Sequence, residues 1–192
     1  MQIGRLWALM GAIACASWIF APGTTWADAQ SAFEVGKAAH ERGDVIAAIE
    51  LLTAAAEEGH VPAMVRLGYV LNKSGDSEAA FRVYSHAAEA GDLEAVLAVG
   101  TMYASGDGVD MDHAKALDWI RRAAEGGHGP AILSLAMIHI NGDLGTAVNR
   151  EEGMRWLRIG VDAGYAPAQA ALDRLQGKQL PRRDHASKRE DD

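Results

Sequence analysis

Leu93 to His128 reads LEAVLAVGTMYASGDGVDMDHAKALDWIRRAAEGGH. The segment divides into two short amphipathic helices, joined by a Gly-rich turn and closed by Gly126-Gly127. A helix pair this short has an apolar face that it cannot cover alone, so it must stack on neighbours of its own kind. The flanking sequence supplies those neighbours.

The register is fixed by four glycines, Gly59, Gly91, Gly127 and Gly164, each of which closes a second helix. Counting back 15 positions reaches Asp44, Asp76, Asp112 and Asn149. These residue types carry side-chain oxygens that accept from the orphan N–H groups at a helix start, so each second helix has both ends specified. Asn149 and Glu152 also have the spacing of a capping box. Counting forward four from each glycine reaches Ala63, Ala95, Ala131 and Ala168, preceded by Pro62, Glu94, Pro130 and Pro167. Proline suits the first turn of a helix because the N–H it lacks would be unpaired there, so each first helix begins just after the closing glycine.

Nine positions beyond the closing glycines stand Gly68, Gly100, Ala136 and Asp173, and Gly36 holds the same place in the first copy. Small residues there predict close helix crossings, while Asp173 marks a last helix, Ala166 to Leu175, that faces solvent. The second helices repeat a small site at Ala48, Ala80, Ala116 and Gly153. A larger apolar residue follows three positions on, at Leu51, Val83, Trp119 and Trp156. Sharing that stripe assigns Trp119 and Trp156 to core packing rather than to a ligand platform. Length varies in one place only: from small residue to cap is 8 positions in copies one and two, 12 in copy three and 13 in copy four. GDGVDM and NGDLGTAV are therefore read as exposed turns along one edge.

The LG or VG of the first helices, the following Tyr, the G-x-G-V turn and Asp, then K-A-x-x-W and A-A-E-x-G-H, resemble the Sel1-like repeat family, relatives of tetratricopeptide repeats. The likeness is strongest over Leu93 to His128 and extends loosely over Ser31 to Leu175; copies one and two lack the longer turn. The resemblance implies an all-α fold, a right-handed α-solenoid of stacked antiparallel helix pairs that scaffolds or regulates other proteins, often in bacterial envelopes. One branch of the family is cysteine-rich, with a disulfide in each repeat and β-lactamase-like or penicillin-binding activity, and this chain lacks those cysteines.

The ends read differently. Arg5 precedes an apolar run from Leu6 to Phe20, and Thr25-Trp26-Ala27 places small residues three before and one before Asp28. Residues 1–27 are thus expected to be a signal peptide cleaved near Ala27, with a periplasmic or secreted product and no stable membrane insertion after cleavage; the run is shorter than the roughly 20 residues of a spanning helix. Cys15, the single cysteine, lies inside it. The expected solenoid occupies residues 28–176, four helix pairs and a capping helix. Residues 177–192 form a polar tail without apolar periodicity, read as disordered, with Lys178, Arg182 and Arg183 as its basic cluster.

Lys and Arg number 18 against 26 Asp and Glu, a net charge of -8. That balance argues against nucleic acid as a partner, since phosphate backbones require a basic surface. No G-x-S-x-G or S-x-x-K motif is present, and no cysteine remains after the leader, so the chain is read as a non-enzyme. No cofactor and no metal is expected. Asp107, Asp110 and Asp112 lack the further ligands and central Gly of a calcium loop, and His60 and His128 share one register position, a structural signature rather than a zinc site. The favoured function is an exported scaffold or regulatory adaptor that holds a protein or peptide; the alternative is a hydrolase of cell-envelope substrates, β-lactamase-like or carbohydrate-active, on the same solenoid. First helices line the concave side of such stacks, and positions there that vary between copies are candidates for contact. They are Arg66 and Tyr69, Ala98 and Thr101, and Ser134 and Met137.

Overall fold

The computed structural model describes residues 26–177. Among them nine α-helices follow one another: α1 (Trp26–Glu41), α2 (Val45–Glu57), α3 (Val61–Lys73), α4 (Ser77–Glu89), α5 (Leu93–Ser105), α6 (His113–Glu125), α7 (Gly129–Asn141), α8 (Arg150–Asp162) and α9 (Ala166–Leu175). Each helix packs on the one before and the one after, and the first helices α1 and α3, and α7 and α9, also touch directly. The architecture is an all-α solenoid of antiparallel pairs, with α9 as the end cap. No helix of the described residues is long and apolar enough to cross a membrane. The signal-peptide reading rests on residues that, apart from Trp26 and Ala27, lie outside the described part, as does the tail beyond Gly177. α1 begins at Trp26 and so runs across the expected cleavage point.

The helix starts and stops follow from the residues that the register picks out. Asp44, Asp76, Asp112 and Asn149 accept from the N–H groups of Ala47, Ala79, Lys115 and Glu152 at 3.2, 3.1, 3.0 and 3.0 Å. The closing glycines carry φ of 81, 93, 87 and 78°, the left-handed region that costs a Cβ-bearing residue roughly 1 to 2 kcal/mol. At Gly59 the chain reverses through two bonds, Gly59 N–H to Ala56 C=O at 2.9 Å and His60 N–H to Ala55 C=O at 3.1 Å. The second donor of each such closure is also the first residue of the next helix start: His60, Asp92, His128 and Tyr165 serve both purposes. One residue that ends one helix and opens the next leaves no slack between pairs.

The same economy governs the variable edge. Within every pair, the N–H of the capping residue bonds to the carbonyl three positions past the small residue: Asp44 to Ala39, Asp76 to Leu71, Asp112 to Tyr103 and Asn149 to His139, at 2.9, 3.0, 2.9 and 2.7 Å. The extra residues of copies three and four bulge out between two fixed points. They are not merely exposed, which corrects the simpler expectation. Gly108 (φ 69°) sits so close to the Ser77 carbonyl at the start of α4 that no Cβ fits there. Val109 and Leu144 pack on the core, and Leu144 holds a left-handed backbone (φ 54°) in a short 3₁₀ turn, Asp143–Gly145. Met111 and Val148, one residue before their caps, remain 63% and 67% exposed.

The small residues mark close crossings within pairs. A Cβ on Gly36 would lie 3.0 Å from Leu52 Cγ, on Gly68 2.9 Å from the Tyr84 ring, and on Gly100 2.9 Å from Ile120 Cγ1. In copy four the glycine moves to the other helix, where a Cβ on Gly153 would meet the Ala136 carbonyl at 2.7 Å. Trp119 and Trp156 pack partly buried against the core. Within the second helices the buried large side chains sit one position later than the expected stripe, at Leu52, Tyr84, Ile120 and Leu157. α9 buries Ala168 and Leu172 against α8, while Asp173 is half-buried and accepts from Gln169 at 3.1 Å.

Candidate peptide groove

Arg66 and Tyr69 lie one turn apart on α3 and therefore on one face. That face, together with α1 and the first turn of α5, encloses a groove of about 380 Å³ lined by Phe33, Pro62, Val65, Arg66, Tyr69, Asp92 and Glu94. Phe33 is the α1 counterpart of Val65, each three residues before its small residue, so the apolar floor comes from one register row.

His60 ties α1 to α3 beneath this floor. It is 5% exposed; its Nδ1 accepts from the Ala63 N–H at 3.1 Å, and its Nε2 lies 2.9 Å from Gln30 Oε1 on α1. An acceptor at Nδ1 puts the proton on Nε2, which donates to Gln30. The ring centroid lies 4.9 Å from that of Phe33 and so packs against the groove's apolar floor. His128, in the same register, makes no capping bond, and its buried Nδ1 finds no hydrogen-bond partner among the described residues. The structural role read from the repeat holds at His60 in a specific form, a helix cap joined to a neighbouring helix.

The charges of the groove are unevenly satisfied. Asp92 spends its carboxylate on capping α5, accepting from the Ala95 N–H at 2.8 Å. Glu94 is exposed in the first turn of α5, where the helix dipole favours a negative charge. Lys37 pairs with Glu34 at 2.6 Å and lies over the Phe33 ring. Tyr69 is 42% exposed, with the His40 ring edge-on at 5.8 Å and Lys73 Nζ 5.8 Å from its centroid. Arg66 is half-buried and has neither hydrogen-bond nor ion-pair partner among the described residues. Behind the floor, burial first and then Glu94 and Tyr69 push the Tyr84 hydroxyl up to about 12, so it stays protonated at any physiological pH.

The other sequence candidates lie in the same register rows but outside the groove lining. Thr101 donates to Ala98 C=O at 2.7 Å and Ser134 to Pro130 C=O at 2.9 Å, so neither hydroxyl is free to donate to a ligand. Ala98 and Met137 are half-buried. Phe33, Pro62, Val65, Asp92 and Glu94 were not among the sequence candidates; the row that pairs Phe33 with Val65 is the signal that finds the first of them.

The hydroxyls of Ser74, Ser85, Thr101 and Ser134 donate to carbonyls of their own helices, with no imidazole set to activate them. Ser105 donates to exposed Asp107 at 2.6 Å, and Asp112 serves as a cap. Among the described residues no group of three or more His, Cys, Asp or Glu is placed to hold a metal ion.

The family model described as Sel1 repeat matches residues 29–60, 61–92, 93–128 and 129–165. Two solved structures share the fold. A Sel1 repeat protein from Oxalobacter formigenes superposes with a TM-score of 0.67 at 23% identity, over 80% of this chain and 67% of that one. A protective antigen present in uropathogenic Escherichia coli strains, which displays an SLR fold, superposes with a TM-score of 0.65 at 25% identity, over 78% of this chain. This chain spans only 34% of that antigen's length. Among curated proteins none matches the chain.

Proposed function

Because the chain belongs to the Sel1 repeat family, whose members are generally scaffolds for protein interaction, we propose that it is an exported adaptor that holds a protein or peptide partner in its first-helix groove. The observation that carries this reading is the groove itself: an apolar floor from Phe33 and Val65, an exposed aromatic ring at Tyr69 and an uncompensated guanidinium at Arg66, all on rigid helices. Aromatic rings and arginines are the side chains that dominate binding energy at protein interfaces. Export, to the periplasm or beyond, is supported by the leader pattern of residues 1–27.

The test is photo-crosslinking from position 69 in intact cells. A discrete adduct that disappears in Arg66→Ala is expected, and adducts that form equally well from the opposite face refute the groove. Sequencing the purified protein's N-terminus tests export: a start at Asp28 is expected, and intact Met1 on a cytosolic protein overturns it. The hydrolase alternative would need an activated nucleophile or, for a carbohydrate substrate, a pair of carboxylates set on either side of the scissile bond. Turnover of a cell-envelope substrate, abolished by one side-chain change, would reverse the assignment.

A further inference from the structure

We propose that the α1–α2 end of the solenoid is a self-association face, on which a second copy of this chain docks with its own α1 and α2 about a twofold axis. Each first helix after α1 lays one row of side chains against the pair before it. Leu67, Val99, Leu135 and Leu172 hold one place in that row, and all are buried. Four residues earlier stand Ala63, Ala95, Ala131 and Ala168, each fully buried. In α1 the same two places are held by Val35, which is 49% exposed, and by Ser31, also exposed, because no pair precedes them among the described residues. The second helix continues the face: Val83 of α4 packs on the core of copy one, and its counterpart in α2, Leu51, is half-buried. A solenoid end made for solvent carries polar groups on such a face. The α9 end does so, since Gln169 and Asp173 stand where Ile132 and Ala136 of α7 face α8, and Gln169 donates to Asp173 at 3.1 Å.

The polar α9 end bars head-to-tail stacking, so a second copy covers the α1–α2 face only with its own, as an isologous pair. Asp28, Ser31, Val35, Ala38 and Arg42 are spaced three and four apart and share one face of α1. With Val35 on the twofold axis the two α1 helices run antiparallel, and residues equally far on either side of Val35 meet across the interface. Ser31 of one copy falls beside Ala38 of the other. Asp28, seven before Val35, falls opposite Arg42, seven after, so opposite charges close the pair at both ends. The rim charge of Glu34 is already met within each copy by Lys37 at 2.6 Å. On α2, Leu51 is flanked along its face by Ala47 and Ala54, with no charge between them. The net charge of -8 is screened beyond about 8 Å at physiological salt, which leaves the near charges to decide. α1 has 16 residues and α2 13, so the end face measures roughly 20 by 20 Å. Two such faces cover about 800 Å², near the lower limit of a specific interface, and the dimer is therefore concentration-dependent.

Sedimentation equilibrium on the purified product of the full-length gene tests the docking. A monomer at about 1 µM and a dimer at about 100 µM are expected, for a dissociation constant on the order of 10 µM. Val35→Glu should stay monomeric at both concentrations, with the melting temperature of the dilute protein nearly unchanged because the single copy leaves Val35 half in water. Arg42→Glu should weaken the dimer about tenfold, as two exposed attractions become repulsions, and adding Asp28→Lys should restore it. A covalent test does not depend on those variants. In Cys15→Ser protein, Val35→Cys brings two thiols together across the axis and should form a disulfide dimer on mild oxidation. Ile46→Cys should not, although Ile46 is 74% exposed, because it opens α2 and its mate lies at the other end of the face. A monomer at about 100 µM, a dimer that survives Val35→Glu, no rescue by the reversed charges, or equal cross-linking from positions 35 and 46 overturns the inference. A monomer whose Val35→Cys thiol resists alkylation overturns it as well, and shows a segment of the same chain on the face instead.

Discussion

Two glycines on the first helices meet different obstacles, and that difference sets a quantitative test of how the pairs are packed. At Gly68 the three atoms nearest to a new Cβ belong to one side chain: Tyr84 Cδ1, Cε1 and Cζ, each at 2.9 Å. At Gly100 the obstacles are Ile120 Cγ1 at 2.9 Å, Trp119 Cβ at 3.1 Å and the Ile120 backbone nitrogen at 3.1 Å. Helix propensity favours alanine over glycine by about 1 kcal/mol in a helix interior, and overpacking by a methylene or more costs about 1 to 3 kcal/mol. Gly68→Ala and Gly100→Ala should each come out destabilised by up to about 2 kcal/mol, and Gly100→Leu by about 3 kcal/mol or more. With roughly 2 to 4 °C per kcal/mol for a domain of this size, circular dichroism melts resolve the effects. In a Tyr84→Ala background the ring is gone, so Gly68→Ala should turn stabilising by about 1 kcal/mol. In an Ile120→Ala background Gly100→Ala should remain destabilising, since the backbone nitrogen stays. A Gly100→Leu protein with an unchanged or higher melting temperature, or a Gly68→Ala cost identical with and without the Tyr84 ring, would refute the close-contact argument.

Tyr84 also predicts an alkaline limit. Its folded pKa of about 12 lies above the ordinary 10.0, so its contribution is complete below about pH 10 and is lost as pH rises towards 12. That loss, on the order of 2 to 3 kcal/mol at most, should be missing in Tyr84→Phe, as urea midpoints across the range will show. At the acid end the backbone N–H of Lys115 is the first cause holding the Asp112 carboxyl below the usual range. Asp112 therefore supports the fold above the ordinary carboxylate pKa and less as pH falls through its own lowered value; Asp112→Asn, which keeps an acceptor as Asn149 does, should flatten that part of the acid titration. His60→Ala should cost about 0.5 to 2 kcal/mol for the lost cap, more than His128→Ala, where no capping bond exists to lose; equal costs in urea melts would contradict the assigned bonds.

Helix boundaries were legible because they depend on local chemistry: an Asp or Asn oxygen over the N–H three residues on, and a glycine that takes positive φ. Close crossings were legible for the same reason, a missing Cβ being visible in the letters. The deep stripe was placed one position early. Residues three and four apart share a helix face, so counting from Ala48 does not separate Leu51 from Leu52; only the neighbouring helices do. The groove was half-legible. Arg66 and Tyr69 stood out as departures from the repeat, whereas Phe33 and Glu94 join them through the superhelical arrangement of three helices. The His60 cap escaped because histidine is an uncommon cap, and its second bond reaches Gln30, 30 residues away.

The bond between the capping N–H and a carbonyl of the preceding helix recurs in all four pairs, whatever the number of residues between them. Loop length is thereby uncoupled from the pitch of the stack. A pair with a longer excursion joins its neighbours on the same terms as one with a short turn, so new surface can be added at this edge without re-registering any helix. The lineage of such a chain can vary its outline there while its framework is inherited unchanged. Copy three shows where that freedom ends: Gly108 passes so close to the Ser77 carbonyl of the preceding pair that a side chain there would force the two to change together.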